Sequence, residues 1–268
     1  MPFPWTLITV AFNSASELER YWSRPTPADV EWIVVDNSST DDSALVAERL
    51  GATVIRLDHN VGFSAANNVG LAAARGEFIA FVNPDVSVEF DDLPDLAQTI
   101  ERNGGLVSPQ LVNNDGRDQP NGRGAPLLLS KVVNRVSRQS AVHHSYLVFA
   151  EPGQERFIFW SMGAVVAGSA ATFAALKGWD ERFFIYYEDK DIAIRSWRSG
   201  RPVVLAGQFR WNHGWARETA HFRLSPWAHE IASLVKFYAL YPEFIFGGRF
   251  AERRHPEASA NSGKVPGA

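Results

Sequence analysis

Apolar residues in the first hundred positions fall into short, near-continuous runs, and the stretches between them have helical spacing. The runs are TLITVAF (6–12), EWIVVD (31–36), ATVIRL (52–57) and EFIAFV (77–82). They are β-branched or aromatic, and turn residues follow each one, as strands require. Helical patterns occupy 14–22, 41–50 and 64–75; the second opens with SSTDDS, which supplies capping hydroxyls and first-turn acids. Strands this apolar are buried on both faces. Their alternation with helices predicts an α/β fold with a mostly parallel central sheet flanked by helices.

The pattern continues with a helix at 91–103 and a strand at 106–112, then breaks. NNDGRDQPNGRGAP is turn-rich and NRVSRQSAVHHSY is polar with poor periodicity, so 113–155 reads as an irregular excursion over the site. Regular structure is predicted again at RFIFWSMGAVVAG (156–168), in a short helix at 169–176, and in two strands, PVVLAG and QFRWNHG. An amphipathic helix at 226–241 places Ile231, Leu234, Val235 and Tyr238 on a stripe expected to pack on the domain. The expected organisation is a catalytic α/β domain over 1–225, a helical segment over 226–250 packed on it, and a disordered tail over 251–268.

Composition narrows the classes. The chain has 268 residues, 46% hydrophobic and 21% charged, which fits a globular fold with ample core. A net charge of −4 gives no general attraction to nucleic acid. With no cysteine, thiolate metal sites, disulfides and cysteine nucleophiles are excluded. MPFPWTLITVAF lacks the features of a signal peptide, and GAVVAGSAATFAAL (163–176) is too short to span a bilayer. A soluble, cytoplasmic protein with at most peripheral membrane contact is expected.

In a parallel α/β sheet, ligands bind beyond the carboxyl ends of the strands. That singles out Asn13, Asp36 with Asn37, the stretch DHNVGF, and Asn83-Pro84-Asp85. Asp36 and Asp85 are then two carboxylates at one crevice, although an Asp after a strand also serves simply to start a turn. No G-x-G-x-x-G follows the first strand, and no P-loop or G-x-S-x-G elbow occurs. A bound phosphate would therefore be neutralised by a divalent cation on carboxylates, Mg²⁺ or Mn²⁺ by preference for oxygen ligands. FIYYEDKDIAIR (184–195) crowds Glu188, Asp189 and Asp191 at a helix start, where acids also favour the helix N-terminus. Helical spacing puts Glu188, Asp191 and Arg195 on one face, with Asp191 and Arg195 able to pair at i, i+4. Asp189 is turned about 100° from Glu188. Of the nine tryptophans, Trp5, Trp32 and Trp197 read as core, and Trp160 and Trp215 lie near the predicted mouth as sugar-contact candidates.

VVDNSSTDDS, NVGFSAANNVGLAAARGEFIAFVNPDV, GAVVAGSAATFAALKGWDERFFIYYEDKDIAIRSWRSG and WNHG, in that order and spacing, resemble the inverting family-2 GT-A glycosyltransferases of the rhamnosyltransferase-like type. The resemblance covers about 6–214. It implies that Thr9, Ala11, Asn13 and Asp36 hold the nucleotide base and ribose, that Asn67 lies beside the diphosphate, and that Asn83 lies near the ribose. It further implies Asp85 and His213 as metal ligands, Asp189 as general base and Glu188 as its supporting neighbour, the division between those two staying open. The implied reaction moves a sugar from a dTDP- or UDP-sugar, rhamnose first, to a saccharide or lipid-linked acceptor. Asn83 stands where relatives carry a first Asp, and HGWARET replaces a glycine-rich stretch. Two alternatives remain: a non-catalytic nucleotide-sugar-binding scaffold and a sugar-nucleotide nucleotidyltransferase.

Overall fold

The computed structural model describes residues 4–128, 146–214 and 224–247. Its first half follows the hydrophobic pattern closely. Strands β1 (Trp5–Ala11), β2 (Val30–Asp36), β3 (Thr53–Arg56) and β4 (Phe78–Val82) alternate with helices α1 (Ala15–Tyr21), α2 (Ser43–Arg49) and α3 (Phe63–Ala73). All four strands are parallel, in the order β3-β2-β1-β4. Every residue of β1, β2 and β4 is buried. Successive residues of β1 serve opposite cores. Leu7 packs with Trp32 and Val34 on one face, while Ile8 packs with Phe81 and Phe173 on the other. Each such side chain contributes about 1.5–3 kcal/mol of burial.

The chain then adds β5 (Val86–Ser87), α4 (Leu93–Asn103), whose C-cap Gly104 is left-handed, and β6 (Leu106–Val112). Two-residue strands β7 (Gly122–Arg123) and β8 (Leu147–Val148) follow, then β9 (Glu155–Phe157), β10 (Trp160–Ser161) and β11 (Val165–Ser169). After them come α5 (Ala170–Leu176), α6 (Glu188–Arg198), β12 (Val203–His213), α7 (Leu224–Leu240) and α8 (Glu243–Phe246). The large sheet continues beyond β4 as β11-β6-β12-β5, with β9 pairing β12. β11 runs antiparallel to both its neighbours, and β12 is parallel to β6. β10, β7 and β8 form a small second sheet.

Three expectations are corrected. PVVLAG and QFRWNHG form one strand, β12, whose register shifts between Ala206 and Arg210. The stretch 113–155 is not irregular throughout. Its described parts supply β7, β8 and a buried polar cluster of Gln119 and Asn121 against Gln110. In α7, Leu234 and Tyr238 pack on the domain with Phe237, but Ile231 and Val235 are 56% and 61% exposed. Trp5 and Trp32 are buried as expected, and partly buried Trp197 packs on the second core. His143-His144, Trp215 and the tail from 251 lie outside the described residues.

Candidate active site

The donor-side residues sit at the carboxyl ends of the parallel strands. Asn13, with φ of 53°, follows β1 and accepts from the backbone N–H of Thr40 at 2.8 Å, tying the loops after β1 and β2 together. Asp36 ends β2, 6% exposed, and its Oδ1 accepts from the Ser39 N–H at 3.3 Å. Asn37 donates through Nδ2 to Asn60 and accepts from the Val61 N–H. This draws the NVGF loop against the β2 end. Three expected contacts lie deeper. Thr9 is fully buried and its hydroxyl accepts from the Trp32 indole at 3.1 Å. Ala11 is fully buried, and Asn67, 1% exposed, donates to the Phe63 carbonyl within α3. The Thr9 hydroxyl and the Asn67 amide are engaged in these internal hydrogen bonds.

Asn83-Pro84-Asp85 turns the chain from β4 into β5. Because β5 pairs antiparallel with the end of β12, His213 lies opposite Val86, one residue from Asp85. The Gly214 N–H donates to the Asp85 carbonyl at 2.8 Å. His213 Nε2 and Asp85 Oδ2 stand 3.4 Å apart. His213 is 5% exposed, and the Asp85 side chain is 16% exposed. A carboxylate oxygen and an imidazole nitrogen at this separation fit a divalent cation such as Mg²⁺ or Mn²⁺. No cluster of three or more metal-ligating side chains occurs among the described residues. Further coordination would fall to water and to phosphate oxygens, as is common for these ions.

The carboxylate turn is built by two adjacent left-handed residues, Tyr186 (φ 69°) and Tyr187 (φ 72°). Such a backbone costs a non-glycine residue about 1–2 kcal/mol and reverses the chain sharply just before α6. The first turn of α6 then points its acids to different places. Asp191 is fully buried, accepts from Arg195 Nε at 2.7 Å and from the Tyr241 hydroxyl at 2.6 Å, and is structural. Glu188 is 6% exposed, and its Oε2 has no hydrogen-bond partner among the described residues. Burial, aided by the neighbouring Asp189 charge, pushes its carboxyl up to about 8. Asp189 is half-buried and pairs with Lys190 Nζ at 3.1 Å. That ammonium sits 3.7 Å from the Trp160 ring centroid. Trp160 is 5% exposed, so in this conformation its ring faces a lysine.

Two contacts bring these elements together. The Asn83 N–H donates to the Ala164 carbonyl at 2.9 Å, and a Cβ placed on the adjacent Gly163 would lie 3.6 Å from the Asp189 Cβ. The turn carrying Asp85 and the turn carrying Asp189 therefore flank the same 163–164 segment. From the other side the Phe63 N–H donates to the Phe184 carbonyl at 2.6 Å, closing NVGF onto FIYYED. Residue-type reasoning passed over Gln119, which contacts His213, because its turn-rich surroundings read as surface loop. Gly163 was equally silent in the sequence.

The central sheet thus carries an Asn-Pro-Asp turn at the end of β4 and a second carboxylate turn beside it. The family model described as glycosyl transferase family 2 matches residues 6–165, and the chain belongs to that family. Similar proteins include an uncharacterised glycosyltransferase of Mycobacterium tuberculosis, 38% identical over 82 residues, which cover 31% of this chain and 37% of that protein. The N-acetylglucosaminyl-diphospho-decaprenol L-rhamnosyltransferase of the same species is 27% identical over 218 residues, covering 72% of this chain and 70% of that one. The low-salt glycan biosynthesis hexosyltransferase Agl10 of Haloferax volcanii is 24% identical over 206 residues, 72% of this chain and 61% of that one. Among solved structures, GalNAc-T7 with UDP, GalNAc and Mn²⁺ superposes with a TM-score of 0.59 at 16% identity, over 81% of this chain and 44% of that one. Staphylococcus aureus TarS with UDP gives 0.56 at 19% identity, over 78% and 60%. These likenesses establish the GT-A fold. No helix of the described residues is long and apolar enough to cross a membrane.

Proposed function

We propose that this chain transfers a sugar from a nucleoside-diphosphate sugar to an acceptor hydroxyl with inversion at the anomeric carbon. The observation that supports the reading is that the turn bearing Asp85, which faces His213, and the turn bearing Asp189 both contact the Gly163–Ala164 segment. Asp85 and His213 would hold a divalent cation, which when bound stabilises negative charge on the diphosphate. Asn13, Asp36 and Asn83 stand where nucleotide and ribose would lie, at the ends of β1, β2 and β4.

In the transfer step the acceptor oxygen gives its proton to the Asp189 carboxylate and forms the new bond to the anomeric carbon. The bond from that carbon to the diphosphate oxygen breaks, and its electron pair leaves with the nucleoside diphosphate. Both side chains approach Gly163, and Asp189 suits this role better than Glu188 because it is the less buried of the two. Lys190 holds the carboxylate in place through its ion pair. Glu188, largely protonated at neutral pH, keeps a second negative charge away from its neighbour. The similar N-acetylglucosaminyl-diphospho-decaprenol L-rhamnosyltransferase makes a rhamnosyl donor the first to try and a lipid-linked saccharide the first acceptor.

The test is nucleoside-diphosphate release from a panel of UDP- and dTDP-sugars with Mn²⁺ or Mg²⁺, followed by Asp189→Asn with the donor and acceptor so identified. The variant should bind donor normally and lose 10²–10⁴-fold in kcat, the usual worth of a general base. An unchanged kcat would refute the assignment to Asp189.

A further inference from the structure

Gln119 is fully buried and reaches His213 twice. Its Nε2 donates to the His213 backbone carbonyl at 2.8 Å and to Asn113 Oδ1 at 3.0 Å. Two acceptors on Nε2 orient the amide, which leaves Oε1 facing His213 Nδ1 at 2.7 Å. An amide oxygen only accepts, so Nδ1 must carry the hydrogen. In the neutral ring Nε2 is then a bare lone pair, and it is the atom 3.4 Å from the Asp85 carboxylate. Two acceptors facing each other repel unless a proton or a metal cation lies between them.

The Gln119 amide is held by its own hydrogen bonds, and the backbone that carries it is pinned on both sides. Its N–H donates to the Leu111 carbonyl at 2.8 Å. Its own carbonyl accepts from Gln110 Nε2 at 2.7 Å and from the Asn121 N–H at 2.8 Å. Asn121 in turn donates through Nδ2 to the Pro109 carbonyl at 2.8 Å and accepts at Oδ1 from the Leu111 N–H at 3.1 Å. These amides are fully buried, where polar groups are retained only when partnered. The cluster thus fixes one ring orientation and one tautomer of His213.

We propose that Gln119 is a positioning residue that holds His213 with Nε2 free toward Asp85 and so sets the affinity for a divalent cation. The inference rests on the cation-binding role given above to Asp85 and His213. Outer partners of metal-bound histidines act this way, and their loss typically costs 10–100-fold in metal affinity.

The full chain is tested with Mn²⁺ alone by electron paramagnetic resonance titration, and its metal-free imidazole nitrogens are assigned by long-range ¹H–¹⁵N spectra well above the usual histidine range. Wild type should show His213 protonated at Nδ1. Gln119→Met, which removes both polar atoms at similar size, should bind Mn²⁺ 10–100-fold more weakly and lose the pure Nδ1–H tautomer. Gln119→Glu, which keeps an acceptor for Nδ1 but loses the donor to the His213 carbonyl, should bind Mn²⁺ more tightly than Gln119→Met. Wild-type His213 found protonated at Nε2 would overturn the inference even if both variants failed to fold. Unchanged affinity and tautomer in Gln119→Met, with Asp85→Asn weakened, would overturn it alone. Unchanged Mn²⁺ binding in Asp85→Asn and His213→Ala would overturn the cation reading and this inference together.

Discussion

Replacing Glu188 by Gln should remove a pH dependence from stability. The carboxyl is 6% exposed, lacks a partner on Oε2 and sits beside Asp189, which together raise it from an ordinary 4.5 to about 8. Below pH 4.5 both folded and unfolded chains hold the proton, so the group costs nothing. Between 4.5 and 8 the unfolded chain releases it while the folded chain keeps it, and stability falls as pH rises. The slope is about 1.4 kcal/mol per pH unit, on the order of 5 kcal/mol over the window. In Glu188→Gln the side chain keeps its shape and cannot titrate. Urea denaturation of both proteins at intervals from pH 5 to pH 8 isolates the effect, because titrating groups other than the coupled neighbour Asp189 cancel in the difference. Relative to the variant, wild type should lose several kcal/mol, or a Tm difference of order 10 °C at about 2–4 °C per kcal/mol. Parallel pH profiles would show that Glu188 is ionised in the folded protein and that its burial has been misjudged.

Asp191→Asn should lower stability by about 3 kcal/mol, since it leaves the three-quarters-buried Arg195 side chain without its carboxylate, and the urea midpoint reads this directly. The same variant should leave Mn²⁺ affinity unchanged, separating Asp191 from the site. Gly62→Ala should impair both folding and activity. Its Cβ would lie 2.6 Å from the Phe184 carbonyl oxygen at a φ of 90°, so the FIYYED turn must move. A cost of about 1–3 kcal/mol in thermal unfolding is expected for such a site, together with a fall in kcat. Wild-type kcat in that variant would show that the turn's position is not critical.

The β-strand and helix pattern of the first half was legible because burial on both faces leaves an unbroken apolar signature in β1, β2 and β4. Asp85 and the acidic turn were legible for a different reason, as residue types in a fixed order along the chain. The antiparallel course of β11 was not, since a strand buried between two neighbours reads alike in either direction. The predicted strands PVVLAG and QFRWNHG divide at Gly207, where the structure has a register shift within one strand and Gly207 leaves room for a crossing segment, since a Cβ there would clash with the Glu151 carbonyl. Gln119 and Asn121 escaped notice because amides in a Gly- and Asn-rich stretch signal surface, and only the fold shows them buried against Gln110 of β6. The burial of Thr9 was not legible either: alternation along β1 turns it into the core, where its hydroxyl accepts from the Trp32 indole.

The left-handed tyrosines have a consequence for how the molecule may be divided. Two residues in that conformation together store about 2–4 kcal/mol, so the turn is not self-supporting. Its brace is the C-terminal helical segment. Ser233 Oγ donates to the Ile185 carbonyl, the His229 ring stacks on Phe184 at 4.7 Å, Tyr241 holds Asp191, and Arg198 pairs with the fully buried Glu243. A chain cut after β12 would keep its parallel sheet and its Asp85–His213 pair, yet the tyrosines would be free to relax to ordinary backbone and carry Asp189 away from Gly163. The part that reads as an appendage is the tensioning member of the arch.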